Sequence, residues 1–83
     1  MTLDTAKLTP DDVKDVICGV LKVDQVAAED AMGSVRGWDS FCQITLVLAI
    51  EEAAGIRLPG DAFGRMTSVQ AIMDVLAEEG VFA

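Results

Sequence analysis

Histidine and tyrosine are absent from this sequence of 83 residues, and cysteine occurs only twice. Without histidine there can be no Ser-His-Asp triad, and Ser40 lacks the flanking glycines of a G-x-S-x-G nucleophile turn. Two cysteines do not make a zinc site, and the sequence contains no D-x-D-x-D-G calcium loop and no phosphate-cradling glycine motif. We therefore expect a protein that is not an enzyme and that binds no metal.

Basic residues are also scarce, with 6 Lys and Arg against 14 Asp and Glu, for a net charge of −8. Such a charge repels phosphate backbones and anionic lipids, so we expect neither nucleic acid nor a membrane as a partner. Apolar runs are too short to span a bilayer, and Met1 to Lys7 lack the features of a signal peptide. The expected location is the cytoplasm, where Cys18 and Cys42 should remain unpaired thiols.

The length is suited to one small domain, residues 1–83, which we expect to be monomeric. Thr9 can cap a first helix, Pro10 fits its first turn, and the helix should run to about Lys22. Residues 23–39 lack a sustained period and predict a long ordered loop, which is usually functional in a compact domain. The apolar face of this helix comprises Val13, Val16, Ile17, Val20 and Leu21, and the loop should anchor in the core through Val26, Met32 and Val35.

The second half of the chain predicts three more helices. Residues 40–54 form the second, with Ser40 as its N-cap and Gly55 just beyond its end, and residues 61–65 a short third. Thr67 and Gln70 form a capping-box pattern for a last helix that reaches about residue 79. Its buried face should comprise Val69, Ile72, Met73 and Leu76. The predicted fold class is all-α, a four-helix bundle with three main helices, one short helix and a long first loop.

The second helix has more apolar side chains than one buried stripe can use. One interpretation is a central helix that is buried on several sides. The other assigns one face to the core and leaves a second apolar face for a partner protein, which a chain this short favours because it has little protein to cover that face. The core face would hold Leu46, Val47, Ile50 and Ala54, and the second face Phe41, Ile44 and Leu48.

Ser40 has two uses that its local pattern alone leaves open. Serine before an apolar helix is most often only an N-cap. Equally, a hydroxyl at a helix N-terminus, where the dipole favours phosphate, suits a site of covalent modification.

The run Asp39-Ser40-Phe41 resembles the Asp-Ser-Leu signature of the acyl carrier proteins, in which the serine begins the second of four helices. The resemblance continues through Leu46, Ile50, the acidic pair Glu51-Glu52, the turn at 56–59 and the stretch 66–70. It covers most of the chain from Gly37 onward, whereas the upstream part is similar in layout more than in residues. Any one of these motifs is weak, but their ordered series is specific.

This resemblance implies that a phosphopantetheinyl transferase moves 4′-phosphopantetheine from coenzyme A to the Ser40 hydroxyl. The terminal thiol of the arm, rather than that of Cys42, would carry an acyl group as a thioester. Asp39 would help the transferase to dock and to handle its metal. Further partners would be acyl- or aminoacyl-loading ligases or transferases and downstream synthases.

The resemblance also implies that Phe41, Ile44 and Leu48 contact partner enzymes and the arm. Glu51 and Glu52 could pair with basic side chains of a partner, mainly to guide its approach. For Trp38, packing in the core is the usual use of a large aromatic, and contact with a partner is the alternative that places it among the candidate contact residues.

The sequence departs from the pattern of fatty-acid carriers, which usually show several acids after the serine where this chain has Cys42-Gln43-Ile44-Thr45. Phe41 in place of leucine enlarges the apolar contact beside the arm. We therefore hypothesise a discrete carrier of a specialised pathway, polyketide or related. Two alternatives stay open: a carrier of aminoacyl or peptidyl groups, and a helical interaction module without a prosthetic group.

Overall fold

The computed structural model describes residues 8–82, so the expectation for Met1–Lys7 lies outside the described residues. Four α-helices follow one another in this range: α1 (Pro10–Leu21), α2 (Ser40–Ala54), α3 (Ala62–Arg65) and α4 (Val69–Glu78). Residues 8–82 form no β-strand, only isolated bridges. None of the helices in this range has the length and apolar character to cross a bilayer. The predicted all-α fold with one short helix is confirmed.

Local capping sets the start of α1 and the end of α2, as predicted. The Thr9 side chain accepts a hydrogen bond from the Asp12 N–H at 3.1 Å, and the Asp12 carboxylate accepts one from the Thr9 N–H at 3.0 Å. Gly55 ends α2 with φ of 71°, a left-handed conformation that glycine adopts without steric cost. Both ends are determined by residues within one turn of the boundary.

The start of α4 differs from the prediction by one residue. Ser68, not Thr67, is the N-cap, and its hydroxyl accepts from the Ala71 N–H at 3.0 Å. The Thr67 carbonyl instead accepts from the Met32 N–H at 2.8 Å. The Thr67 backbone is thus engaged by the first loop, and the helix begins after it.

The four helices enclose an aliphatic core. α1 packs on α2 and α4, and α3 packs on α2 and α4. Val16, Val20, Ala54 and Met73, which the patterns predicted as buried, lie half-buried at its edge, whereas Val75 is buried although the predicted face of α4 omitted it. The buried apolar residues of the helices are Val13, Ile17, Leu21, Leu46, Val47, Ile50, Ala62, Val69, Ile72, Val75 and Leu76.

The long first loop is ordered by backbone hydrogen bonds to the start of α4. Besides the bond from Met32, the N–H of Val69 donates to the Asp30 carbonyl at 2.9 Å, and the N–H of Gln70 donates to the Ala28 carbonyl at 3.1 Å. The loop is anchored as predicted, with Val26, Met32 and Val35 half-buried against the core. The segment that leads into α2 therefore has a defined position.

The assignment of the α4 cap predicts different effects for two adjacent substitutions. Ser68→Ala removes the acceptor for the Ala71 N–H and should lower the free energy of unfolding by about 1 kcal/mol. Thr67→Ala keeps the backbone bond to Met32 and should cost less than half as much. Urea unfolding followed by circular dichroism measures both, and a larger loss for Thr67→Ala would show that the cap is assigned to the wrong residue.

Candidate functional site

Asp39, rather than Ser40, caps α2. Its backbone is extended, with φ of −116°, and its Oδ1 accepts from the Cys42 N–H at 2.8 Å. Ser40 is the first residue of the helix itself, so its prediction as N-cap is wrong. The physical reason is that the Asp39 side chain reaches the same N–H group from one residue earlier, and its negative charge is favoured at the positive end of the helix dipole.

The capping by Asp39 leaves the Ser40 side chain free. Ser40 is exposed, and its hydroxyl makes no hydrogen bond to any of residues 8–82. The N–H groups of Ser40 and Phe41 belong to the first turn, where a helix offers no carbonyl to receive them. An unbonded hydroxyl therefore lies beside two unpaired N–H donors, an arrangement that suits a phosphate group.

Trp38, two residues before Ser40, is buried. It is 1% exposed, so its prediction as a partner contact is wrong and the core-packing alternative holds. Gly37, with φ of 89°, lies just before it. The backbone N–H of Trp38 donates to the Val35 carbonyl at 3.0 Å, and the backbone carbonyl of Trp38 accepts from the Gly33 N–H at 3.0 Å. Trp38, which precedes the capping Asp39, is thus held by two backbone hydrogen bonds as well as by the burial of its ring.

Gln43 is the one polar residue in the buried set of the described range, 3% exposed, and the sequence analysis did not identify it as a site residue. Its Oε1 accepts from Trp38 Nε1–H at 2.7 Å. Its Nε2 donates to the carbonyls of Phe63 at 3.1 Å and Met66 at 2.7 Å. The signal in the sequence was a long amide in the first turns of an apolar helix, because such a group needs hydrogen-bond partners if it is buried.

The apolar character of α2 divides between two faces. Leu46, Val47 and Ile50 are buried, whereas Phe41 is 80% exposed, Ile44 48% and Leu48 52%. The interpretation of a helix buried on all sides is therefore wrong, and the predicted second face exists. Phe63 on α3, 37% exposed, is a further exposed aromatic that the sequence analysis missed. Large apolar side chains exposed along one face of a helix are typical of an interaction surface.

The acidic pair at the end of α2 has two different environments. The Glu51 carboxylate is half-buried and accepts from the Leu58 N–H at 2.7 Å, which ties the end of α2 to the following turn. Glu52 is exposed and makes no side-chain hydrogen bond within residues 8–82. Glu51 thus has a structural use that the sequence analysis missed, and contact of either acid with a partner stays a prediction.

Cys42 lies in the first turn of α2, half-buried, and both cysteines are free thiols, as predicted. Burial raises the pKa of the Cys42 thiol, and the nearby Asp39 carboxylate raises that pKa further. Both effects disfavour the thiolate, which is the nucleophilic form. Cys42 therefore offers less thiolate for acylation than an unperturbed cysteine at the same pH. No cluster of potential metal ligands occurs among the described residues.

Comparison with known proteins gives a relative over most of the chain. The sequence matches no protein-family model. It is similar to the acyl carrier protein of Guillardia theta, with 33% identity over 69 residues that cover 81% of this chain and 85% of that protein. The similarity therefore extends well beyond the serine motif.

The two causes of the raised Cys42 pKa can be separated in a Cys18→Ser background. Asp39→Asn removes the charge but keeps a capping oxygen, so the pKa of Cys42 should fall. It should stay above that of a free cysteine, because burial is the larger cause. The rate of alkylation by iodoacetamide as a function of pH reports the pKa. A value at or below that of free cysteine would mean that charge, not burial, dominates.

Proposed function

We propose that this chain, which belongs to the acyl carrier protein family, carries 4′-phosphopantetheine on Ser40 and passes a thioester-bound acyl group between partner enzymes. In the loading step Ser40 Oγ would lose its proton to a base supplied by the transferase and bond to the phosphorus that bears the pantetheine arm. The phosphoanhydride bond of coenzyme A would break, and adenosine 3′,5′-bisphosphate would leave. The observation that carries the proposal is the exposed, unbonded Ser40 hydroxyl at the start of α2.

The residues around Ser40 fit an attached phosphate. The unpaired N–H groups of Ser40 and Phe41 can donate to phosphate oxygens, and the positive end of the α2 dipole favours the negative charge. The first turn of α2 contains no acidic residue that would oppose it. The cap Asp39 is the nearest carboxylate in sequence, and its Oδ1 is already occupied by the Cys42 N–H.

Asp39 can combine capping with the transferase contact that the family resemblance implies. Only Oδ1 is used in the cap, and Oδ2 makes no hydrogen bond to residues 8–82. The exposed side chain therefore has one carboxylate oxygen to offer to the transferase and its metal. One residue would thus keep the Ser40 hydroxyl free and help to recruit the enzyme that modifies it.

The exposed face formed by Phe41, Ile44 and Leu48 is the proposed contact for the transferase, the loading enzymes and the synthases. α2 has no charged residue from Ser40 to Ile50, so its recognition near the serine would depend on apolar contact. This composition and the bulk of Phe41 support a carrier for a specialised pathway, polyketide or related, rather than for fatty-acid synthesis. Tests of the holo protein with acyl-loading and aminoacyl-loading ligases would identify the class of cargo.

The attachment site is tested by incubating the protein with coenzyme A, magnesium and a broad-specificity phosphopantetheinyl transferase. Intact-mass measurement should show the gain of one phosphopantetheine on the wild type and none on Ser40→Ala. Ser34→Ala is the matched control, because Ser34 is an exposed serine in the first loop and should not alter the gain. An unmodified wild type, or a modified Ser40→Ala, would refute the proposal.

The exposed face of α2 predicts a separation of function from stability. Ile44→Glu or Leu48→Glu should change the free energy of unfolding by less than about 0.5 kcal/mol, since both residues are about half exposed. Each should lower kcat/KM with a partner enzyme about tenfold, because a charge replaces an apolar contact.

Ala53→Glu is the control for the added charge, since Ala53 is exposed on α2 away from this face. Its kcat/KM should stay within about twofold of the wild type. Loss of helicity by circular dichroism in the Ile44 or Leu48 variants would show that these residues belong to the core. If Ile44→Glu and Leu48→Glu gave the same kcat/KM as Ala53→Glu and the wild type, partners would not use this face.

A further inference from the structure

Gln43 lies one helical turn after Ser40 and faces inward. At 3% exposure it cannot be a contact for a partner enzyme. Its amide nevertheless uses both its oxygen and its nitrogen, with one bond to the segment before Ser40 and two to the region of α3. A buried amide that joins the two sides of a modification site can fix the geometry of that site.

We propose that Gln43 is a positioning residue, which holds Trp38 and α3 in one arrangement so that the Ser40 hydroxyl is presented correctly to the transferase. The inference rests on the proposed function, since it concerns the modification of Ser40. It adds a role for a residue that touches neither the hydroxyl nor the partner.

The side-chain oxygen of Gln43 helps to set the position of Ser40, because it is hydrogen-bonded to the Trp38 ring two residues earlier. Trp38 Nε1–H donates to this oxygen at 2.7 Å, and the Trp38 backbone is bonded to Val35 and Gly33. Only the cap residue Asp39 separates Trp38 from Ser40. A shift of the indole would therefore displace the cap and change where the first turn of α2 presents its serine.

The nitrogen of Gln43 completes the end of α3. A helix of four residues leaves most of its carbonyls without helical partners. Nε2 donates to the carbonyl of Phe63 in α3 and to that of Met66, the C-cap residue just after it. The side chains of Ala62 and Met66 are fully buried around this end. The side-chain amide of Gln43 thus fastens the start of α2 to Phe63 and Met66, which lie 20 and 23 residues further along the chain.

The test measures transferase kinetics on two variants while the carrier concentration is varied. Gln43→Met keeps the length of the side chain but makes none of the three bonds. Trp38→Phe removes the bond to the Gln43 oxygen and part of a buried ring, and it leaves the two bonds from the Gln43 nitrogen in place. The loss of buried volume is what the stability control below accounts for. For both, kcat of phosphopantetheine transfer should fall about tenfold, because the hydroxyl is misplaced. KM should stay within about twofold, since the exposed docking face is unchanged.

Val13→Ala is the control for loss of stability alone. Val13 is buried in α1, which packs on α2 and α4 but not on α3. At a temperature where all variants are folded by circular dichroism, Val13→Ala should be modified with the wild-type kcat. A fall in its kcat equal to that of the Gln43 and Trp38 variants would overturn the positioning role, because general destabilisation would then explain all three.

The double variant tests whether the two residues act together. If Trp38 and Gln43 act through their shared bond, Trp38→Phe with Gln43→Met should lose no more kcat than the worse single variant. Losses that multiply would overturn the inference. If Gln43→Met does not fold, Trp38→Phe alone decides, and wild-type kcat for that variant contradicts the inference.

The failure of this inference and that of the proposed function give different results. A wild-type protein that accepts no phosphopantetheine removes the proposed function and this inference with it. A wild type that is modified, with Trp38→Phe and Gln43→Met modified at the same kcat, removes only the positioning role of Gln43.

Discussion

The hydrogen bonds of the buried Gln43 amide connect the parts of the molecule on which the site depends. They join the end of the first loop, the start of α2 and the end of α3. A buried amide that loses its partners costs about 1–3 kcal/mol, so the core face of α2 packs more favourably when Trp38 and α3 are in place. The apolar burial of α2 and the placement of its N-terminus are therefore coupled.

The choice of capping residue at the start of α2 determines whether the Ser40 hydroxyl is free. Because Asp39 supplies the capping oxygen, the Ser40 hydroxyl is unbonded and exposed. The apolar residues of α2 lie on two faces: Leu46, Val47 and Ile50 are in the core, and Phe41 is exposed to solvent. A free hydroxyl and unpaired N–H donors thus lie at the N-terminus of the helix, where its exposed apolar face begins at Phe41.

Local patterns predicted the helices well, because caps and apolar periods act within a few residues. Where two adjacent residues could both cap, as with Asp39 and Ser40 or Thr67 and Ser68, the pattern did not determine which one does. In the second pair the choice depends on the loop bond to Thr67, which is a long-range contact. Gln43 was missed for the same reason, since its α3 partners are 20 or more residues away in the chain. The family was predicted from an ordered series of short motifs, and the similarity over 69 residues supports it.

The central claim, that Ser40 carries a prosthetic arm, is tested most directly on protein purified from the cells that make it naturally. Digestion and tandem mass spectrometry should find phosphopantetheine on the peptide that contains Ser40, with the fragment ions assigning it to the serine oxygen. The free Ser40 hydroxyl at the start of α2 predicts this result. A Ser40 peptide found only in its unmodified form, or an arm on another residue, would contradict it.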